Sequence, residues 1–67
     1  LIMRLIVNGE PHEVAAKTLA DLLGELEYEG EWLATALNGE LVRATARASV
    51  ALNEGDRVEI LTPRQGG

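Results

Sequence analysis

At 67 residues the chain has room for one domain and one small core; a chain of this length hides only about 60% of the surface its unfolded form exposes. Its composition, 46% hydrophobic and 25% charged, is that of a soluble globule; the lack of cysteine excludes a disulfide framework, a thiolate metal site and a Cys nucleophile, and one histidine, His12, cannot build a metal cage alone. A net charge of −5 argues against nucleic acid and anionic membranes as partners, no apolar run approaches the roughly 20 residues that span a bilayer, and no secretion signal is evident, so the expected setting is the cytoplasm.

Leu1 and Ile2 precede the only methionine, Met3, and are set aside as an expression remnant. Met3 to Val7 is a compact apolar run rich in branched residues, which predicts a strand. It stops at Asn8-Gly9, the dipeptide suited to a tight hairpin because both residues tolerate positive φ. Pro11 to Ala15 reads as the return strand, with Val14 its best core candidate. Pro11 cannot donate to a ladder and belongs at a strand start or a sheet edge.

Leu19, Leu22, Leu23 and Leu26 follow the i, i+3, i+4, i+7 spacing of one buried helix face. Thr18 is placed to cap the helix, with Asp21 three residues on as the acidic half of a capping box. Gly24 costs about 1 kcal/mol relative to Ala, which four buried leucines outweigh at about 1.5–3 kcal/mol each. The helix is expected to fray after Glu27 and to stop at Gly30. Trp32 to Leu37 reads as a third strand, Asn38-Gly39 as a second tight turn, and Leu41-Val42 as a brief fourth strand. Arg43 to Ala51 has no clean period and reads as an irregular connection with one helical turn. Asn53-Glu54-Gly55-Asp56 is a turn cluster, and Arg57 to Leu61 a last strand with Val58 and Ile60 on one side. The pattern predicts an α+β domain over 3–62, followed by a flexible tail, 63–67, that ends in Gly66-Gly67.

The order β-β-α-β-β-β leaves one helix to cover one face of a mixed sheet of four to five strands. A hairpin, a crossover helix and a final strand returning beside the first make those two strands parallel. That is the β-grasp, or ubiquitin-like, arrangement.

The chemistry-bearing residues are sparse. No Ser/His/Asp set has credible spacing, and His12 reads as an exposed or hydrogen-bonding side chain. Glu25, Glu27, Glu29 and Glu31 form an acidic stripe at the helix end, either a solvated surface or a lure for a basic groove. The Gly66-Gly67 pair is the sharpest feature, because it follows a β-grasp body and a short polar spacer.

Here the sequence resembles the ThiS family, the sulfur carrier proteins of thiamine biosynthesis, relatives of ubiquitin and of the small subunit of molybdopterin synthase (MoaD). The resemblance rests on Met3-Arg4-Leu5-Ile6-Val7-Asn8-Gly9-Glu10, Thr18-Leu19-Ala20-Asp21-Leu22-Leu23 and Ala36-Leu37-Asn38-Gly39-Glu40-Leu41-Val42. It continues through Leu52-Asn53-Glu54-Gly55-Asp56-Arg57-Val58-Glu59-Ile60 to Gly66-Gly67. The chain departs from the family where members often carry Pro-Arg-Ser and Trp-Ala, having Arg43-Ala44-Thr45 and Arg47-Ala48. It also has Arg64-Gln65 where an aliphatic residue often precedes the glycines.

The resemblance implies a carrier, not an enzyme, with no stably bound cofactor. A ThiF-like adenylating enzyme would use ATP and Mg²⁺ to activate the Gly67 carboxylate. A persulfide-bearing sulfur donor would convert it to a thiocarboxylate, and a ThiG-like thiazole synthase would receive the sulfur. Arg64, Gln65 and Gly66 would thread the partner's active site, glycine permitting close backbone approach. Catalytic and metal-binding residues are not expected in this chain.

Docking requires a surface. If Leu5, Val7, Val58 and Ile60 face the helix, alternation sends Ile6 and Leu61 to the other face, where parallel neighbouring strands are expected to bring them together beside the tail. They form either a partner patch or scattered exposed apolar residues. Trp32 is either an interface aromatic or the rim of the core. Two alternatives to the thiamine pathway stand: sulfur carriage for molybdopterin or cysteine synthesis, and a non-covalent β-grasp binding module similar to the TGS domain. A covalent ubiquitin-like tag is a further option, since an activated glycine can acylate a lysine.

Overall fold

The computed structural model describes residues 1–28 and 32–63. Among these, five strands and two helical segments follow one another: β1 (Met3–Val7), β2 (Glu10–Val14), α1 (Leu19–Glu25), β3 (Ala34–Leu37), β4 (Glu40–Val42), a 3₁₀ segment (Ala44–Ser49) and β5 (Arg57–Leu61). The strands form one sheet in the order β2-β1-β5-β3-β4. The first and last strands run parallel at its centre, Ile6 level with Arg57 and Val7 with Val58. All other pairings are antiparallel. The expected β-grasp arrangement is the observed one.

Period-two alternation supplies one side of the core. Leu5 and Val7 from β1, Val14 from β2, and Val58 and Ile60 from β5 are buried, as are Leu19, Leu22 and Leu23 of α1. Leu26 is half-buried at the core's edge. Pro11 sits on the outer strand of the sheet, opposite Ile6, where its missing N–H removes no ladder bond.

Both hairpins turn on positive φ at two successive residues, +50° and +84° at Asn8-Gly9 and +51° and +88° at Asn38-Gly39, the geometry that matches strand twist. β2 ends at Val14, one residue before the expected Ala15. The Ala15 N–H leaves the sheet and donates to both carboxylate oxygens of Glu25, at 3.2 Å each. Glu25 therefore ties α1 to the strand before it rather than joining a free acidic stripe.

α1 begins as expected: Thr18 Oγ1 accepts from the Asp21 N–H at 3.1 Å. Its end is a correction. Helical geometry stops at Leu26, and Glu27 turns left-handed with φ +67°. The Glu27 N–H bonds to the Gly24 carbonyl and the Tyr28 N–H to the Leu23 carbonyl, the paired bonds of a Schellman motif. The helix is thus closed at 26–28, before Gly30, which with Glu29 and Glu31 lies outside the described residues.

Two further expectations are corrected. Trp32 and Leu33 precede β3 rather than belonging to it, because the ladder to β5 starts at the Ala34–Leu61 pair. The Leu33 carbonyl is taken instead by the Arg47 side chain. The connection 43–51 holds a six-residue 3₁₀ segment rather than a single turn. It is clipped to the start of α1 by Leu19 N–H to Val50 O (3.0 Å) and Leu52 N–H to Lys17 O (2.9 Å).

Candidate docking face and carboxyl-terminal strand

The face of the sheet turned away from α1 is built by three strands. In β3, Thr35 points inward and is 1% exposed, so its neighbours Ala34 and Ala36 point outward. The two-residue turn at Asn38-Gly39 sets Ala36 opposite Leu41, which places Leu41 on the same outer face. β5 contributes Leu61, opposite Ala34. Two small alanines between two exposed leucines leave a shallow hollow of ≈ 340 Å³, with Glu59 and Asn8 on its wall.

Leu41 and Ala34 also border a second hollow, ≈ 430 Å³, lined by Trp32, Leu33 and Val42 and by Arg43 and Arg47. Trp32, Leu41 and Leu61 are each about two-thirds exposed or more, so Trp32 stands at the surface rather than on the core's rim. Together the hollows make one continuous apolar strip with two arginines at one end. Arg47 is held in place: its Nε donates to Thr35 Oγ1 at 3.0 Å and its Nη2 to the Leu33 carbonyl at 2.8 Å. Thr35 in turn donates to the Val42 carbonyl at 2.8 Å. One buried hydroxyl thereby links the 3₁₀ segment, β3 and β4.

Ile6 and Leu61 share the outer face but are not neighbours, contrary to expectation. Ile6 is level with Arg57, and Leu61 lies four residues further along β5, roughly 13 Å at about 3.3 Å per residue. Ile6 is half-buried beside β2. The strip next to the end of β5 is made of Leu61, Leu41 and Trp32. Leu41 was the residue not anticipated; the Asn38-Gly39 turn, which fixes hairpin register, was the signal that could have found it. The remaining expected site residues, Arg64, Gln65, Gly66 and Gly67, lie outside the described residues.

On the opposite side, His12 is half-buried and borders a hollow of ≈ 250 Å³ with Glu10, Leu26 and Tyr28. Among the described residues no cluster of three His, Asp or Glu could hold a metal ion. No helix there is long and apolar enough to cross a membrane.

Comparison with known proteins gives a consistent result. The ThiS family model matches residues 5–67. The chain is 36% identical over 61 residues to the sulfur carrier protein ThiS of Thermus thermophilus, covering 91% of this chain and 95% of that one. It is 39% identical over 66 residues to a thiazole synthase of Paramagnetospirillum magneticum, covering 97% of this chain; it spans only 20% of that relative's length. Among solved structures, the thiamine biosynthesis protein ThiS from Geobacter metallireducens superposes with a TM-score of 0.79 at 35% identity, covering 97% of this chain and all of that one.

Proposed function

Since the chain belongs to the ThiS family, the sulfur carrier proteins of thiamine biosynthesis, we propose that it carries sulfur on the carboxyl group of Gly67. The observation that carries this reading is the family match, which runs through the Gly66-Gly67 pair. A carboxylate is a poor electrophile, because its charge repels nucleophiles and oxide is a bad leaving group. A ThiF-like partner using MgATP converts it to an acyl-adenylate and releases pyrophosphate. The terminal sulfur of a persulfide then displaces AMP to give an acyl disulfide; a second thiolate attacks the donor's own sulfur, forming a new disulfide with it and releasing the thiocarboxylate. This soft nucleophile delivers sulfur to a thiazole synthase. The match to a fifth of a protein named thiazole synthase supports that acceptor.

The chemistry places the reacting atom on this chain and the catalytic groups, ATP and Mg²⁺ on its partners. Affinity must then come from the folded body, since ordering a glycine-containing segment costs conformational entropy. The strip of Leu61, Leu41 and Trp32 supplies a docking surface beside the end of β5, and its apolar character suits a partner interface. These reactions belong in the cytoplasm, where ATP and persulfide donors are at hand.

The test is mass spectrometry of the chain after incubation with a ThiF-like enzyme, MgATP and a persulfide donor. The expected product is heavier by the exchange of one oxygen for one sulfur. Deleting Gly67 should abolish the shift; its persistence in the deletion variant sinks the proposal.

A further inference from the structure

The backbone of Ile60 makes an unusual set of bonds. Arg57, Glu59 and Leu61 turn their polar groups toward β3, so Ile60 turns its own toward β1. β1, however, ends at Val7, and its last ladder bond to β5 is Asn8 N–H to Val58 O, 2.9 Å. One residue further, a side chain takes over. Asn8 Oδ1 accepts from the Ile60 N–H at 2.8 Å, and Asn8 Nδ2 donates to the Ile60 carbonyl at 3.2 Å. The carboxamide acts as one more rung of the β1–β5 pair, and the φ of +50° at Asn8 aims it there.

We infer that Asn8 is a positioning residue for the activation step: from the β1 side, opposite the Ala34–Leu61 pairing with β3, it fixes the direction in which β5 delivers the chain beyond Leu61 to a partner's active site. This rests on the proposed reaction at Gly67. Direction at Ile60 is transmitted because Pro63 follows two residues after Leu61: the proline ring fixes its own φ and confines Thr62 to extended conformations. Reactivity is sensitive to such aim, since displacement of a reacting group by about 1 Å can cost on the order of 10²-fold in rate.

Asn38 provides the matched control. It has the same φ and the same following glycine, but its side chain bonds at the opposite end of β5, to the Arg57 N–H and the Asp56 carboxylate. Glycine accepts positive φ, so Asn8→Gly and Asn38→Gly each remove a side-chain clasp without straining the turn. The experiment measures Kd for the activating enzyme without ATP, and kcat and KM for pyrophosphate release with it. Asn8→Gly should lower kcat about tenfold, well beyond any rise in Kd from the loss of a side chain on the wall of the Leu61–Leu41 hollow, whereas Asn38→Gly should leave both near wild type. Asn8→Asp retains the acceptor for the Ile60 N–H and should fold if the glycine variant does not, with a smaller fall in kcat. An Asn8→Gly protein with wild-type kcat, equal kcat losses in both glycine variants, or a loss confined to Kd overturns the inference while leaving the sulfur-carrier reading intact. A wild-type chain that yields no acyl-adenylate overturns the functional reading and this inference with it.

Discussion

The two hairpins repeat one tripeptide, Asn8-Gly9-Glu10 and Asn38-Gly39-Glu40, with φ values that agree within a few degrees. Their asparagine side chains nevertheless do different things. The first hairpin connects β1 to an edge strand, and its asparagine reaches across a parallel neighbour that has run out of rungs. The second connects β3 to β4, and its asparagine reinforces the start of β5, which is already well supported. There Gly55 N–H donates to the Arg4 carbonyl (2.8 Å), Arg4 N–H to Glu54 (2.9 Å), and Asn53 N–H to Asp56 (2.8 Å). Local sequence sets the turn; the strand order decides whether the side chain inside it reaches the buried Ile60 near the end of β5 or the exposed Arg57 at its start.

The sharpest way to break this comparison is to measure the two glycine variants side by side. In Asn8→Gly, the N–H and carbonyl of the buried Ile60 lose their partners together. An orphaned polar group costs about 1–3 kcal/mol, partly offset where water can enter, so a loss of about 3 kcal/mol is expected. A domain of this size has only on the order of 3–10 kcal/mol in total, so the urea midpoint should fall steeply. Asn38→Gly exposes the Arg57 N–H at an already exposed residue, where water substitutes, and should cost about 1 kcal/mol. Equal midpoints would refute the claim that burial of the bonded backbone groups separates the two sites.

A second variant tests what stiffens the later hairpin. Thr35→Val keeps the shape of a fully buried side chain but removes the acceptor for Arg47 Nε and the donor to the Val42 carbonyl. The expected cost is about 2 kcal/mol, read by urea unfolding, with faster amide exchange in β4 and none of that change in β2. If exchange rises equally in both edge strands, the linkage through Thr35 is not specific to this hairpin.

These contrasts also explain which features could be read from the chain. The turns were legible because Asn-Gly carries its geometry with it, and the start of α1 because Thr18 is both the cap and the signal for it. An antiparallel register follows from its turn, which is why Leu41 was within reach of inference. The register of β1 against β5 has no such local determinant: it is set by how α1 and the segments after it pack, so the separation of Ile6 from Leu61 was not visible beforehand. Leu33, buried yet outside any strand, and Arg47, bonded to the Leu33 carbonyl and Thr35, depend on contacts between segments 12 to 14 residues apart. The sequence offered no periodicity for either.

The end of α1 was hidden for a different reason, and it supplies the smallest and opposite effect. Among the described residues Glu27 is the third non-glycine with positive φ, beside Asn8 and Asn38, and it occupies the position where helices commonly place glycine. The stop signal lies in the Glu27 and Tyr28 backbone bonds, which no residue type announces. Asparagine tolerates the left-handed region and, at both hairpins, gains side-chain bonds by adopting it; glutamate bears the full steric penalty of about 1–2 kcal/mol. Replacing Glu27 with glycine removes that penalty but adds backbone freedom to the unfolded chain, worth up to about 1 kcal/mol. The balance should be a gain of about 0.5 kcal/mol, seen as a slightly higher urea midpoint with an unchanged m-value. The same substitution, Xaa→Gly at positive φ, thus destabilises at residues 8 and 38 and stabilises at 27. A loss of stability in Glu27→Gly would mean that side-chain bonding is not what distinguishes the asparagines.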